Sequence, residues 1–269
     1  MRLLKKIILF LLAALSVAYI ATQIYQGSTD RNDPPTIYCP DGILDVSAKD
    51  DKSTLLAGIT ASDPQDGDLT GQVIVGGISK LISNNTAKVT FMVFDSDDNM
   101  GTCIRYIRYT DYQRPVFAIT EPLVYSSTGD VSLLPRLAAS DVVDGNISDR
   151  IRVSTLATTG NSEVYDITIT VTNSMGDTSW LRLPVLVQPT NPLRPVIKLS
   201  NYLIYQPAGN KFDPADYLSS VTAGGEIVDV SDVDISSNVD TTKAGTYRVM
   251  YTYSANGSTG TAILTVVIQ

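Results

Sequence analysis

Apolar and polar positions divide the chain into one continuous apolar block followed by a long series of short alternating runs. The block is Ile7 to Tyr25, nineteen residues without a charge, ten of them Leu, Ile, Phe or Val. As a helix it would extend about 28 Å, close to the thickness of a bilayer core. Its aliphatic residues outweigh the insertion cost of Thr22 and Gln23. Arg2, Lys5 and Lys6 flank it on the amino side and favour a cytoplasmic location for that end, so the rest is expected outside. A cleaved signal peptide is the competing reading. It lacks a clean small-x-small site: Tyr19 stands three residues before Thr22, and the Ala14-Leu15-Ser16 triplet would cut the run in half. Residues 1–26 are therefore expected to be a basic flank and an uncleaved transmembrane signal-anchor. Residues 27–34, rich in Asp, Asn, Ser and Gly, read as a tether.

The alternating runs repeat. Pro35, Pro115 and Pro195 lie 80 residues apart, and each opens a short apolar strand such as Val116-Phe117-Ala118-Ile119. Each segment closes on two long β-branched and aromatic runs joined by a polar turn. These are Lys88–Phe94 with Ile104–Tyr109, Tyr165–Thr172 with Trp180–Val187, and Gly245–Tyr253 with Ala262–Ile268. Turn residues such as Asn256-Gly257 mark antiparallel hairpins. About 80 residues, many short strands and no long amphipathic helix predict a β-sandwich. The expected fold class is all-β: three tandem immunoglobulin-like sandwiches after one amino-terminal transmembrane helix. The expected domains are 35–113, 114–192 and 193–269. A single helical turn is expected at Asp213–Tyr217, where Asp caps and Pro takes the first position.

Asp63-Pro64-Gln65-Asp66-Gly67-Asp68-Leu69-Thr70, Asp141-Val142-Val143-Asp144-Gly145-Asn146-Ile147-Ser148 and Asp240–Tyr247 carry a resemblance over roughly 34–269. The chain resembles the bacterial immunoglobulin-like repeats of surface proteins. The first domain is also similar to hyalin-repeat modules, which open on Cys-Pro, as at Cys39-Pro40, and place a second cysteine on the last strand, as at Cys103. The resemblance implies the sandwich fold and an exported location, and spacer or adhesive roles rather than an activity. The third domain departs from it, with Ala223-Gly224-Gly225-Glu226 in place of the acidic turn.

Charge sharpens the class. Three of the 20 basic residues lie in the first 26 positions, which leaves 17 basic against 28 acidic residues, a net of −11. Such a surface is repelled by nucleic acid and by anionic headgroups. The chain has no histidine, which removes Ser-His-Asp and Cys-His catalysis and every imidazole metal site. Neither a nucleophile elbow nor a phosphate-binding glycine loop is present. No catalytic residue and no organic cofactor are expected, and the protein is not read as an enzyme.

Two constellations remain. Cys39 and Cys103 are the only cysteines, and an even count in an exported chain suggests a disulfide, with two buried thiols as the alternative. Asp63, Asp66, Asp68 and Asp95 lie on two turns that can meet at one pole of a sandwich, and carboxylates are the ligands calcium takes. Against this, Asp also closes turns on its own backbone. Tyrosines at 247, 251 and 253 are expected in the core rather than on a binding face. The expected function is a membrane-anchored extracellular stalk, adhesion or binding protein that meets a protein or glycan partner, with no nucleic acid involved. The alternatives are a structural subunit of a cell-envelope assembly and, behind it, a carbohydrate-binding accessory or enzyme. The carboxy-terminal end, which stops in a strand, is expected to be the end that meets the partner.

Overall fold

The computed structural model describes residues 2–29, 33–158 and 163–269. An α-helix, α1, runs Arg2–Thr29. It includes Gly27, Ser28 and Thr29, which the sequence assigns to the tether: no proline interrupts the backbone before Pro34, so the ladder continues past the apolar run. The middle of the expected tether, 30–32, lies outside the described residues. The chain forms two compact units, Met1–Val46 with Asp50–Thr110, and Ser47–Lys49 with Asp111–Gln269.

The first unit holds one sandwich of seven strands: β1 (Thr36–Tyr38), β2 (Ile43–Val46), β3 (Thr60–Asp63), β4 (Gly67–Asp68), β5 (Ile74–Ile78), β6 (Thr86–Phe94) and β7 (Met100–Tyr109). One sheet has the order β1-β3-β4 and the other β2-β7-β6-β5. The second unit repeats this plan twice. Its first sandwich has β8 (Val116–Ile119), β9 (Val124–Tyr125), β10 (Leu137–Asp141), β11 (Gly145–Asn146), β12 (Arg152–Thr158), β13 (Val164–Thr172) and β14 (Thr178–Val187). Its second has β15 (Val196–Leu199), β16 (Leu203–Gln206), β17 (Leu218–Ala223), β18 (Glu226–Val228), β19 (Asp234–Ser237), β20 (Gly245–Ala255) and β21 (Ser258–Ile268). In all three, the first strand pairs antiparallel with the third and the second pairs parallel with the last. The 80-residue repeat read from the prolines is thus a repeat of topology. The fold is three tandem immunoglobulin-like sandwiches behind one apolar helix.

Each core follows from the strand period of two. In β6, Ala87, Val89, Phe91 and Val93 are buried, while the residues between them are more exposed. Ile167, Ile169 and Val171 of β13 face Leu181, Leu183 and Val185 of β14 in the second core. Val249 and Tyr251 of β20 face Ala262, Leu264 and Val266 of β21 in the third. Tyr251 is fully buried and its hydroxyl donates to the Pro214 carbonyl at 2.7 Å, while Tyr247 and Tyr253 pack at the edge of the same core. The side chains of all three tyrosines thus pack into or against this core, as their spacing implied.

Turn chemistry sets the registers. Asn256 and Gly257 both have positive φ and close the β20–β21 hairpin, pairing Ala255 with Ser258. Gly224 and Gly225 do the same between β17 and β18, which accounts for glycines where the other domains keep an acidic turn. The expected helical turn is a 3-10 turn, Pro214–Tyr217, with the Asp213 carboxylate accepting from the Ala215 N–H at 3.0 Å. Gly260 of β21 is needed for a different reason: a Cβ there would collide with the Pro195 carbonyl where the first strand begins. Gly101 of β7 meets the Pro35 carbonyl in the same way, so the repeated proline and this glycine are two halves of one close approach.

Candidate functional site

The two acidic turns of the first sandwich meet at one pole. Asp63, at the end of β3, accepts from the backbone N–H groups of Gln65 and Asp66 through Oδ1, at 2.7 and 2.9 Å. Asp66 spans to the β6–β7 hairpin, where it accepts from Ser96 N–H at 2.6 Å and from Ser96 Oγ at 2.9 Å. Asp68 accepts from Thr70 N–H at 2.9 Å, and bonding from Thr70 holds its carboxyl below the ordinary carboxylate value. Asp95 accepts from the N–H groups of Asp97 and Asn99 and from the Asn99 side chain. Each carboxylate therefore closes a turn. Among the described residues, no three acidic or cysteine side chains gather at metal-ligating spacing.

The second sandwich reproduces this arrangement with one informative change. Asp141 accepts from Val143 and Asp144 N–H, and Asp144 accepts from Ser174 N–H and Oγ, both at 2.6 Å. Asn173 stands where the first sandwich has Asp95. Its Nδ2 donates to Asp141 Oδ2 at 3.0 Å and to the Tyr112 hydroxyl at 2.8 Å. Tyr112 in turn donates to Asp177, which also takes Arg114. Burial pushes the Tyr112 phenol well above its ordinary value, and the neighbouring carboxylates add to the effect. Burial raises Asp177, but the bonds from Arg114 and Tyr112 outweigh it and hold this carboxyl below the ordinary value.

In the first sandwich the aspartate at 95 has no N–H to give. Asp63 is 5% exposed, and its Oδ2 is buried without a partner. That oxygen is the buried one in the set left without a donor. Asp95→Asn combined with Asn99→Asp copies the donor pattern of the second sandwich. It is expected to stabilise the first sandwich by about 1 kcal/mol, the worth of one buried hydrogen bond, measured as a shift in its denaturation midpoint. An unchanged or lower midpoint would show that Asp63 Oδ2 is not an unmet acceptor.

Cys39 and Cys103 are joined in a disulfide with their Cα atoms 5.9 Å apart. The bridge ties the segment after β1 to β7, the last strand of the sandwich.

Within the second unit, the two sandwiches are pinned by an ion cluster and a small apolar patch. Asp166 of β13 is buried, with Arg182 of β14 at 3.0 Å and Arg248 of β20 closer still. Val164, Leu186 and Ile263 pack beside them with Met250 against their edge. Tyr205 of β16 accepts the Phe117 N–H of β8 at 3.0 Å. Next to the ion cluster, Trp180 of β14 is 69% exposed. Sequence reasoning placed Trp180 and Arg182 in a closing strand and went no further. The signal was present: Leu181 and Leu183 point inward, so Trp180 and Arg182 share the outer face.

Residues 206–266 match the family model described as "Bacterial Ig-like domain (group 3)". The matched stretch takes in most of the third sandwich, which is similar to bacterial immunoglobulin-like modules. A stretch of 145 residues, 51% of the chain, is 28% identical to an uncharacterised 81.3 kDa protein of Acholeplasma phage L2, and the match spans 19% of that protein's length. Among solved structures, similarity extends to the M60 catalytic domain with CBM51-1 and CBM51-2 domains of Clostridium perfringens ZmpB. That match is 12% identical, has a TM-score of 0.25, and covers 87% of this chain and 30% of that one. Human CDH23 EC21-23 is also similar, at 12% identity and a TM-score of 0.22, covering 87% of this chain and all of that one.

Proposed function

We propose that this chain is a membrane-anchored binding protein that displays immunoglobulin-like modules on the extracytoplasmic side. The observation that carries the reading is the helix segment Ile7–Ile24, with a mean hydropathy of 2.3 and none of it buried against the protein. Leu9 and Phe10 are each about three-quarters exposed. The ten Leu, Ile, Phe and Val side chains of this stretch, left in water, would cost more than the stability of a small domain, so a lipid environment is the state that accommodates them. The basic residues on the amino side orient the helix with that end inside. The Cys39–Cys103 bridge agrees with an oxidising exterior. Sandwiches without histidine, whose acidic residues close turns, suit recognition and spacing.

Fractionation of cells expressing the full chain tests the anchor. The protein is expected to stay in the membrane pellet through an alkaline carbonate wash, with its amino-terminal segment intact by mass spectrometry. The double variant Leu11→Lys with Leu12→Lys should leave the pellet. A mature terminus between Ser16 and Gly27 would mean a cleaved signal peptide and would overturn the anchored reading.

A further inference from the structure

The joint between the second and third sandwiches carries a feature that neither anchoring nor spacing uses. Trp180 is the single tryptophan of the chain, and it stands outward near the start of β14 rather than in a core. Tryptophan gains more from burial than any other side chain, so an exposed one on a sheet face is the kind of apolar surface that marks a site. It lines a hollow of about 390 Å³ with Arg182, Pro184, Asn238, Tyr247 and Arg248. That volume lies at the small end of the range for ligand pockets and suits one or two ring units rather than a folded partner.

The polar lining has donors to spare. Arg182 and Arg248 share the one carboxylate of Asp166, which leaves the pair with a net positive charge in a chain whose formal net charge is −8. Each guanidinium has five N–H donors in a planar fork, more than one carboxylate can take. Asn238 accepts the Arg248 backbone N–H through its Oδ1, so its amide N–H₂ group points from a fixed position. Thr265 of β21 also lines the hollow, and its Oγ1 is buried with no hydrogen-bond partner, on a residue only 2% exposed. A flat aromatic face, two cationic planar donors and an amide around one small hollow match a particular ligand chemistry. A pyranose ring stacks its C–H face on an aromatic ring and offers hydroxyls around its edge, and a carboxylate on that ring takes a guanidinium fork.

We propose that this hollow binds an acidic saccharide, with Trp180 beneath the sugar ring and Arg182 and Arg248 on its carboxylate. The proposal deepens the binding-protein reading by naming a ligand class. Its test needs no membrane topology, so it can fail while the anchor stands. The full chain in detergent micelles is titrated with trigalacturonate and with a hyaluronan tetrasaccharide, with maltotriose and hexaglutamate alongside. Trp180 fluorescence reports from the hollow alone, because no other tryptophan contributes.

Saturable change with an acidic saccharide is expected, at a Kd of about 1 mM or tighter. Arg182→Gln should weaken it by about tenfold, the loss of one charge-assisted hydrogen bond. Trp180→Ala should abolish the heat of binding by calorimetry while circular dichroism keeps the strand signal. No response to either acidic saccharide would overturn the proposal. So would equal binding of maltotriose, which would make the arginines irrelevant, or a response to hexaglutamate alone, which would make the ligand an acidic peptide.

Discussion

Replacing Cys39 and Cys103 together with serine is expected to lower the stability of the first sandwich by about 4 kcal/mol and to leave the other two unchanged. The bridge closes a loop with a sequence separation of 64. In the chain-entropy model, releasing a loop of that length restores about 4 kcal/mol of freedom to the unfolded chain. The loss is confined because both cysteines lie within the first sandwich. Hydrogen exchange followed by mass spectrometry resolves the three sandwiches separately. Peptides from β6 and β7 should exchange several hundredfold faster in the double variant, while those from β13 and β20 should not change. Uniform acceleration across all three would mean that the sandwiches unfold as one unit.

The second large effect falls on the cluster around Asp166. Arg182→Ala combined with Arg248→Ala would leave a carboxylate 6% exposed with neither of its counter-charges. Stranding a buried charge in this way costs about 3 kcal/mol. Each single change should cost far less, about 1 kcal/mol for Arg182, which is 57% exposed and therefore screened. The remaining arginine can still neutralise Asp166, so the two losses should not add. Adding Asp166→Asn to the double variant should recover most of the loss, because the stranded charge is then gone. Urea melts of the second unit, read from Trp180, measure all four proteins. A double variant that loses no more than the sum of the singles would mean the arginines do not substitute for one another.

Much of this molecule was legible in its sequence because its rules are local. Proline, Gly/Asn turns and two-residue alternation fix strands and hairpins within a few positions of one another, which is why three sandwiches could be read from Pro35, Pro115 and Pro195. The parallel pairing of the second strand with the last was not legible, since it joins residues such as Ile43 and Tyr106 that no local pattern links. The acidic turns show the same limit. Asp63, Asp66, Asp68 and Asp95 could be read as turn formers or as an ion site. Only the structure shows that Asp66 is spent on Ser96 and that Asp63 keeps one oxygen unmet. Trp180 is the opposite case, since its outward direction follows from the inward-facing Leu181 and Leu183 that come after it. What the sequence could not supply was its neighbour Arg248, more than sixty residues away and in another sandwich.

On the proposed topology the sandwiches lie outside a membrane that the helix crosses. Lysines on the two sides of that helix report it directly. Lys5 lies in the basic flank, and Lys198 is exposed on the third sandwich. Intact cells expressing the full chain are treated with a membrane-impermeant amine-reactive biotin ester, and the modified lysines are located by mass spectrometry. The account predicts that Lys198 is modified while Lys5 is reached only after lysis. Modification of Lys5 with Lys198 protected, or protection of both until lysis, would contradict it.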